Sequence, residues 1–178
     1  MWDDGVVRPS PACLRALQMV VSALEDAGNI IIPISPPSPY EGLQIAFQLL
    51  CADGVKTAVD LIRSGETNDP GVAQACLIFG LPSWVRKLYV WWIRYVKRDA
   101  LYAELVEKCY EKSVSEFWAL VAQREVYRKQ WFDGVWKRQE LDFVLTVPNS
   151  LPAVPHGGMK AGWKACGYTF LFNLVRGH

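Results

Sequence analysis

Apolar residues along much of this chain recur at intervals of three and four, the spacing that lines one face of an α-helix. The first such run is Leu14, Leu17, Val21 and Leu24. Ser10 precedes it as a natural N-cap and Pro11 sits in the first turn, where its missing N–H costs nothing. Gly28 supplies the stop. Ile30, Ile31 and Ile32 are a β-branched run that reads as a buried strand. Helix and strand together make half of a βαβ unit, whose other strand would lie at or before Met1-Trp2. Residues 33–39, with prolines at 33, 36, 37 and 39, read as an extended connection. A helix is expected from Tyr40 to about Leu50, with Leu43, Phe47 and Leu50 on one face. Asp53-Gly54 interrupts it, and a second piece is expected to run to Ser64-Gly65. Another helix is expected from about Ala100 to Lys112. Ser113-x-x-Glu116 fits a capping box that opens a long helix to about Arg138. Asp142–Val147 reads as a second strand, 148–162 as a Pro/Gly loop and 165–175 as a last apolar helix. The chain ends directly after that run, at Arg176-Gly177-His178, with no cap. The expectation is therefore a fold cut at both ends.

The stretch 72–98 departs from this pattern. Gly80 and Pro82 break its uncharged first part, which is too short and too interrupted for a membrane-spanning helix. On a helical wheel from Trp84 to Arg98, Trp84, Val85, Leu88, Trp92, Tyr95 and Val96 fall in one arc of about 120°. Arg86, Lys87, Arg94, Lys97 and Arg98 fall in the opposite arc, with no acidic residue between them, and Trp91 stands at the boundary. An apolar, Trp-rich side against a basic side is the pattern of a helix lying in a membrane interface. An ordinary amphipathic helix packed on a core, with its basic side in water, fits the same pattern, as does a calmodulin-type target helix.

Composition narrows the field. A chain of 178 residues with 51% hydrophobic and 21% charged residues has room for one folded domain and is not a disordered chain. Its formal net charge of +1 leaves no bulk basic excess for a nucleic-acid partner. Cys13, Cys51, Cys76, Cys109 and Cys166 are too far apart in sequence for a zinc or CxxC motif. Their odd number and the acidic opening Met1-Trp2-Asp3-Asp4 favour reduced thiols in an intracellular protein, cytoplasmic or peripheral to a membrane.

Few of the known catalytic patterns have their residues here. His156 and His178 are the only histidines, so neither a three-His site nor HExxH can be assembled. The chain has no GxSxG, SxxK, GxGxxG or phosphate-binding loop. Carboxylate pairs such as Asp3/Asp4, Glu25/Asp26 and Glu140/Asp142 read as solvated surface, and Pro155-His156-Gly157-Gly158 as a surface loop. The residues taken alone yield no catalytic group, no metal ligand set and no cofactor site.

Several segments, in order, resemble the amidase signature family: WDDGVVRPSPACLRAL, LEDAG followed by IIIP, LLCADG, LPSW, EFWALVAQREVYRKQW and GYTFLFNL. Within the family they are most similar to the fungal acetamidase-like and fatty acid amide hydrolase branch. The resemblance implies an α/β fold, a mixed twisted sheet covered by helices, of which residues 1–178 would be a C-terminal portion of one domain. It implies hydrolysis of a carboxamide by a Ser nucleophile, a bridging Ser and a Lys base. Those groups belong to a Gly/Ser-rich N-terminal half of the family, and the nine serines here lack that context. The expectation is a chain that is inactive alone and supplies substrate-channel and membrane-cap elements. By resemblance, Leu50, Cys51, Thr169 and Phe172 would face an acyl chain. A cap-like helical hairpin at about 72–98 would meet the bilayer through Leu81, Trp84, Val85, Leu88, Trp91, Trp92 and Tyr95. The implied partners are an amide substrate, a lipid amide included, a membrane surface through 81–98, and a second copy or a missing N-terminal half. A non-catalytic membrane module and a non-functional truncated product remain alternatives.

Overall fold

The computed structural model describes residues 1–62, 65, 68–158, 160 and 162–176. Eight α-helices follow one another: α1 (Pro11–Asp26), α2 (Pro39–Leu50), α3 (Lys56–Asp60), α4 (Pro70–Gly80), α5 (Ser83–Tyr95), α6 (Ala100–Lys108), α7 (Val114–Trp131) and α8 (Gly167–Val175). A π-helical turn, Phe132–Lys137, continues α7, and a 3₁₀ turn, Gly162–Cys166, leads into α8.

The expected twisted sheet is not formed. Among the described residues there is no strand, so the α/β assignment is corrected to an all-helical one. Residues 29–36 and 142–148 carry no regular structure, and neither expected strand, Ile30–Ile32 or Asp142–Val147, has a ladder. A strand exists only where a neighbour takes up its backbone N–H and C=O groups. β-propensity marks Ile30–Ile32 as fit for a sheet but supplies no neighbour. Ile30 and Ile32 are accordingly exposed, and so is Phe143.

The helix starts follow local chemistry. The Ser10 side chain accepts from the Cys13 N–H, and Gly28 takes the left-handed φ of +85° that ends α1. At α7 the capping box closes in both directions: Ser113 Oγ accepts from the Glu116 N–H, and the Glu116 carboxylate accepts from the Ser113 N–H. Asp69 and Asp99 cap α4 and α6 in the same way. The piece expected after Asp53-Gly54 forms only α3, and its expected end at Ser64 lies outside the described residues, as does His178.

The chain divides into two compact units. The first comprises Met1–Leu43, Gln123–Ala153 and Ala165–His178. Leu17, Leu43, Tyr127, Trp131, Val135, Tyr168, Leu171 and Leu174 are among its buried residues. Its irregular segments are tied down by buried tyrosines. Tyr127 lies with its hydroxyl 3.1 Å from the Pro37 carbonyl and 3.2 Å from that of Ser38, and it accepts from Trp131 Nε1. The Tyr168 hydroxyl donates to the Val7 carbonyl and accepts from the Asp4 N–H. The second unit comprises Gln44–Ala122 and Val154–Lys164. Its core joins α4, α5 and α6 through Ile78, Val90, Ile93, Tyr102, Ala103 and Val106.

Gly42 is where α2 meets the Tyr127 ring. A Cβ there would stand 2.8 Å from the hydroxyl oxygen and 2.9 Å from Cζ of a side chain that is fully buried and hydrogen-bonded. Gly42→Ala is expected to destabilise the protein by about 1–3 kcal/mol through this overlap. A lowered denaturant midpoint with an unchanged m-value checks it.

Candidate functional site

α5 shows most clearly how sequence and packing interact. The structure buries Val90, which lies on the wheel among the basic residues, and Ile93, which lies between the basic and the Trp arcs. Packing on α6 therefore uses the side that also carries the cations. Arg94 reaches Glu107 of α6 at 2.6 Å, a hydrogen bond and charge pair that keep its guanidinium above its ordinary range. Lys97 folds back over the Trp92 ring, 5.0 Å from its centroid.

The Trp-rich side is left open. Trp84, Leu88, Trp91, Trp92 and Tyr95 are between 40% and 65% exposed. Leu81 and Val85 are half-buried, and Leu77 on α4 is exposed. Tyr89 stacks on Trp92 at 6.0 Å, and Trp91 and Tyr95 lie 5.8 Å apart. Large apolar side chains scattered singly over a surface are ordinary, but a contiguous aromatic face marks an interaction site. Among the described residues no helix is long and apolar enough to cross a membrane.

The four expected acyl-facing residues fall in different settings. In the second unit Leu50 ends α2 and is exposed, whereas Cys51 is buried with its thiol against Cys109. Cys109 is itself fully buried, and the hydrogen bond with Cys51 and the loss of water push its thiol up. In the first unit Thr169 is exposed and donates to the Pro148 carbonyl, and Phe172 lies edge-on to Trp131 at 6.0 Å.

α8, which carries Thr169 and Phe172, is seated by Asp4. One carboxylate oxygen of Asp4 accepts from the N–H groups of Val6 and Val7. The other is buried without a partner among the described residues and lies close against Gly167, where a Cβ would come within 2.6 Å of it. Burial raises the Asp4 carboxyl above the usual carboxylate range, and the two amides pull the other way. The loop WDDG thus fixes the start of α8, with Tyr168 as the second tie.

A feature the sequence reading missed is the groove beside the π-helical turn. It has a volume of about 990 Å³. Aromatic and basic side chains from α7, the turn and α8 line it, Phe172 among them. The signal was present in Arg128–Lys137, RKQWFDGVWK, where basic and aromatic residues alternate irregularly. π-helical turns are rare and occur often at functional sites.

Residues 1–175 match the family model described as Amidase, and the chain belongs to the amidase family. It is 26% identical over 175 residues to Fatty acid amide hydrolase 1 of Caenorhabditis elegans, covering 97% of this chain and 29% of that protein. It is 24% identical over 179 residues to an Acetamidase of Aspergillus oryzae, covering 97% of this chain and 27% of that protein. It is 30% identical over 87 residues to the Vitamin D3 hydroxylase-associated protein of Gallus gallus, covering 48% of this chain and 18% of that protein. The chain thus spans less than a third of the length of each of these relatives.

Burial orders the cysteines by reactivity, because a thiol must ionise and be reached to react. Cys13 and Cys76, both half-buried, are expected to alkylate with iodoacetamide well before Cys51 and Cys109 in the native protein. All five are expected to react in denaturant. Peptide mapping of the time course checks this order.

Proposed function

We propose that this chain works in the hydrolysis of carboxamides, with fatty acid amides as the substrate class and a membrane surface as the place of access. Membership of the amidase family supports the reaction, and two relatives, a fatty acid amide hydrolase and an acetamidase, point the same way. The observation that carries the lipid reading is the open aromatic face of α5, held outward because Val90 and Ile93 take the opposite side into the core. An exposed ring row of this kind gains by entering the headgroup–acyl boundary. Lys87 and Arg98, both exposed, flank that face and suit anionic headgroups.

In this reading the chain contributes binding surfaces and not the nucleophile. Leu50 in the second unit, and Thr169 and Phe172 in the first, each act as an acyl-contacting residue. Cys51 acts through its packing with Cys109. Amide cleavage by acyl transfer needs a hydroxyl activated by an adjacent base and donors for the oxyanion. Among the described residues, Ser10 and Ser113 are taken up in helix caps, the Ser113 hydroxyl donating to the Glu116 carboxylate as part of its capping box. A purely membrane-binding role, without any part in hydrolysis, draws on the same α5 face.

Two outcomes are expected. The full chain takes no stoichiometric label from a fluorophosphonate and does not turn over oleamide; mass-spectrometric detection of one labelled Ser would overturn the assignment of roles. The chain co-sediments with vesicles containing anionic lipid, and joint replacement of Trp84, Trp91 and Trp92 by Ala lowers the bound fraction about tenfold or more. Equal binding by the triple variant would remove the membrane contact.

A further inference from the structure

The groove beside the π-helical turn has a cationic lining that the α5 face and the amide-hydrolysis reading leave unused. Four cationic side chains line it: Arg128, Lys129, Lys137 and Arg176. One carboxylate, Glu125, stands with them. The groove therefore carries a net of three positive charges, in a chain whose total is +1.

Within this set Glu125 pairs with Arg128 alone. Its carboxylate is already shared between Arg124 and Arg128, at 2.7 Å and 2.8 Å, and these bonds hold it below the usual carboxylate range. Lys129, Lys137 and Arg176 make no ion pair among the described residues. The Nε–H of Arg128 is buried with no acceptor among the described residues. That donor is closed to solvent, so the accessible positive charge of the groove lies on Lys129, Lys137 and Arg176.

The walls are apolar. Trp131 and Phe172 meet edge-on, and Phe132, Trp136, Leu141 and Val175 extend the surface. Phe132 is exposed, so the groove is open at that side. A bare inorganic anion would satisfy the cations and leave these walls in water. A neutral apolar molecule would cover the walls and leave the cations unpaired. We infer that this groove binds a small organic anion with an apolar tail, of which a medium-chain carboxylate is the simplest case. Arg176 and the lysines take the carboxylate through charge-assisted hydrogen bonds, and the aromatic walls take the tail. The inference does not rest on amide hydrolysis, because its readout is binding by the full chain without turnover.

The test uses octanoate below its micelle-forming concentration, with octylammonium and inorganic phosphate as comparison probes. Indole N–H resonances report where binding occurs. Octanoate is expected to bind saturably and to shift the signals of Trp131 and Trp136 but not those of Trp84, Trp91 and Trp92. Octylammonium and phosphate are expected to bind at least about tenfold more weakly. The double variant Lys129→Gln/Lys137→Gln is expected to weaken octanoate about tenfold, and Arg176→Gln, at the exposed chain end, to weaken it in the same direction. Joint replacement of Trp84 and Trp92 by Ala should leave octanoate binding unchanged, which separates this site from the membrane contact. Equal affinity for octylammonium, an unaltered affinity in both charge variants, shifts confined to the α5 tryptophans, or no saturable binding would each overturn the inference.

Discussion

Much of the first unit depends on two buried phenol hydroxyls. Its extended segments have no ladder, yet buried backbone carbonyls and amides must be paired. Tyr127 takes up the Pro37 and Ser38 carbonyls, and Tyr168 takes up the Val7 carbonyl and the Asp4 amide. Each hydroxyl both donates and accepts, so one side chain serves two distant points of the chain. Burial pushes the Tyr127 phenol up to about 12 and raises that of Tyr168 further, so both stay protonated donors at neutral pH. Water has no access to compete, which makes these few bonds worth more than their number suggests. The residues that carry them sit on α7 and α8, and this is why the helices can order segments that form no sheet.

The second unit is held by a different principle. α4, α5 and α6 share an apolar core, and electrostatics is a minor addition at its edge. The Arg94–Glu107 and Lys56–Glu111 pairs are surface interactions, in which screening and side-chain entropy offset most of the attraction. The aromatic side of α5 takes no part in that core. The unit buries Phe47 and Tyr102 but leaves Trp84, Trp91, Trp92 and Tyr95 outside, an exposed aromatic face of the kind that marks an interaction site.

How far the sequence could be read follows from which constraints are local. The caps of α1 and α7 were legible because Ser10, Pro11, Gly28 and the Ser113/Glu116 box act on neighbours within four residues. The strands were not, because Ile30–Ile32 and Asp142–Val147 need partners that spacing cannot supply. The wheel of α5 separated aromatic from basic residues correctly, but it could not say which side faces the core. Two residues decide that: Val90, which hides in the basic arc, and Ile93, which lies between the two arcs. The resemblance to amidases was legible in the ordered motifs, and it carried an expectation of a sheet that these residues do not form among themselves. The groove at 128–137 escaped because a π-helical turn changes which side chains share a face, and no α-helical wheel contains it.

That turn has a consequence for how the chain can vary. A π-helical turn behaves as one extra residue inserted into an α-helix. Removing a single residue between Phe132 and Lys137 would leave a regular α-helix and move the residues of the turn that follow the deletion by about 100° around the axis relative to those before it. Trp136 and Lys137 would then exchange their neighbours while Arg128 and Lys129 kept theirs. A substitution in this short span therefore alters one side chain at a time, whereas a change in its length by even one codon would disturb the arrangement of charges and rings together.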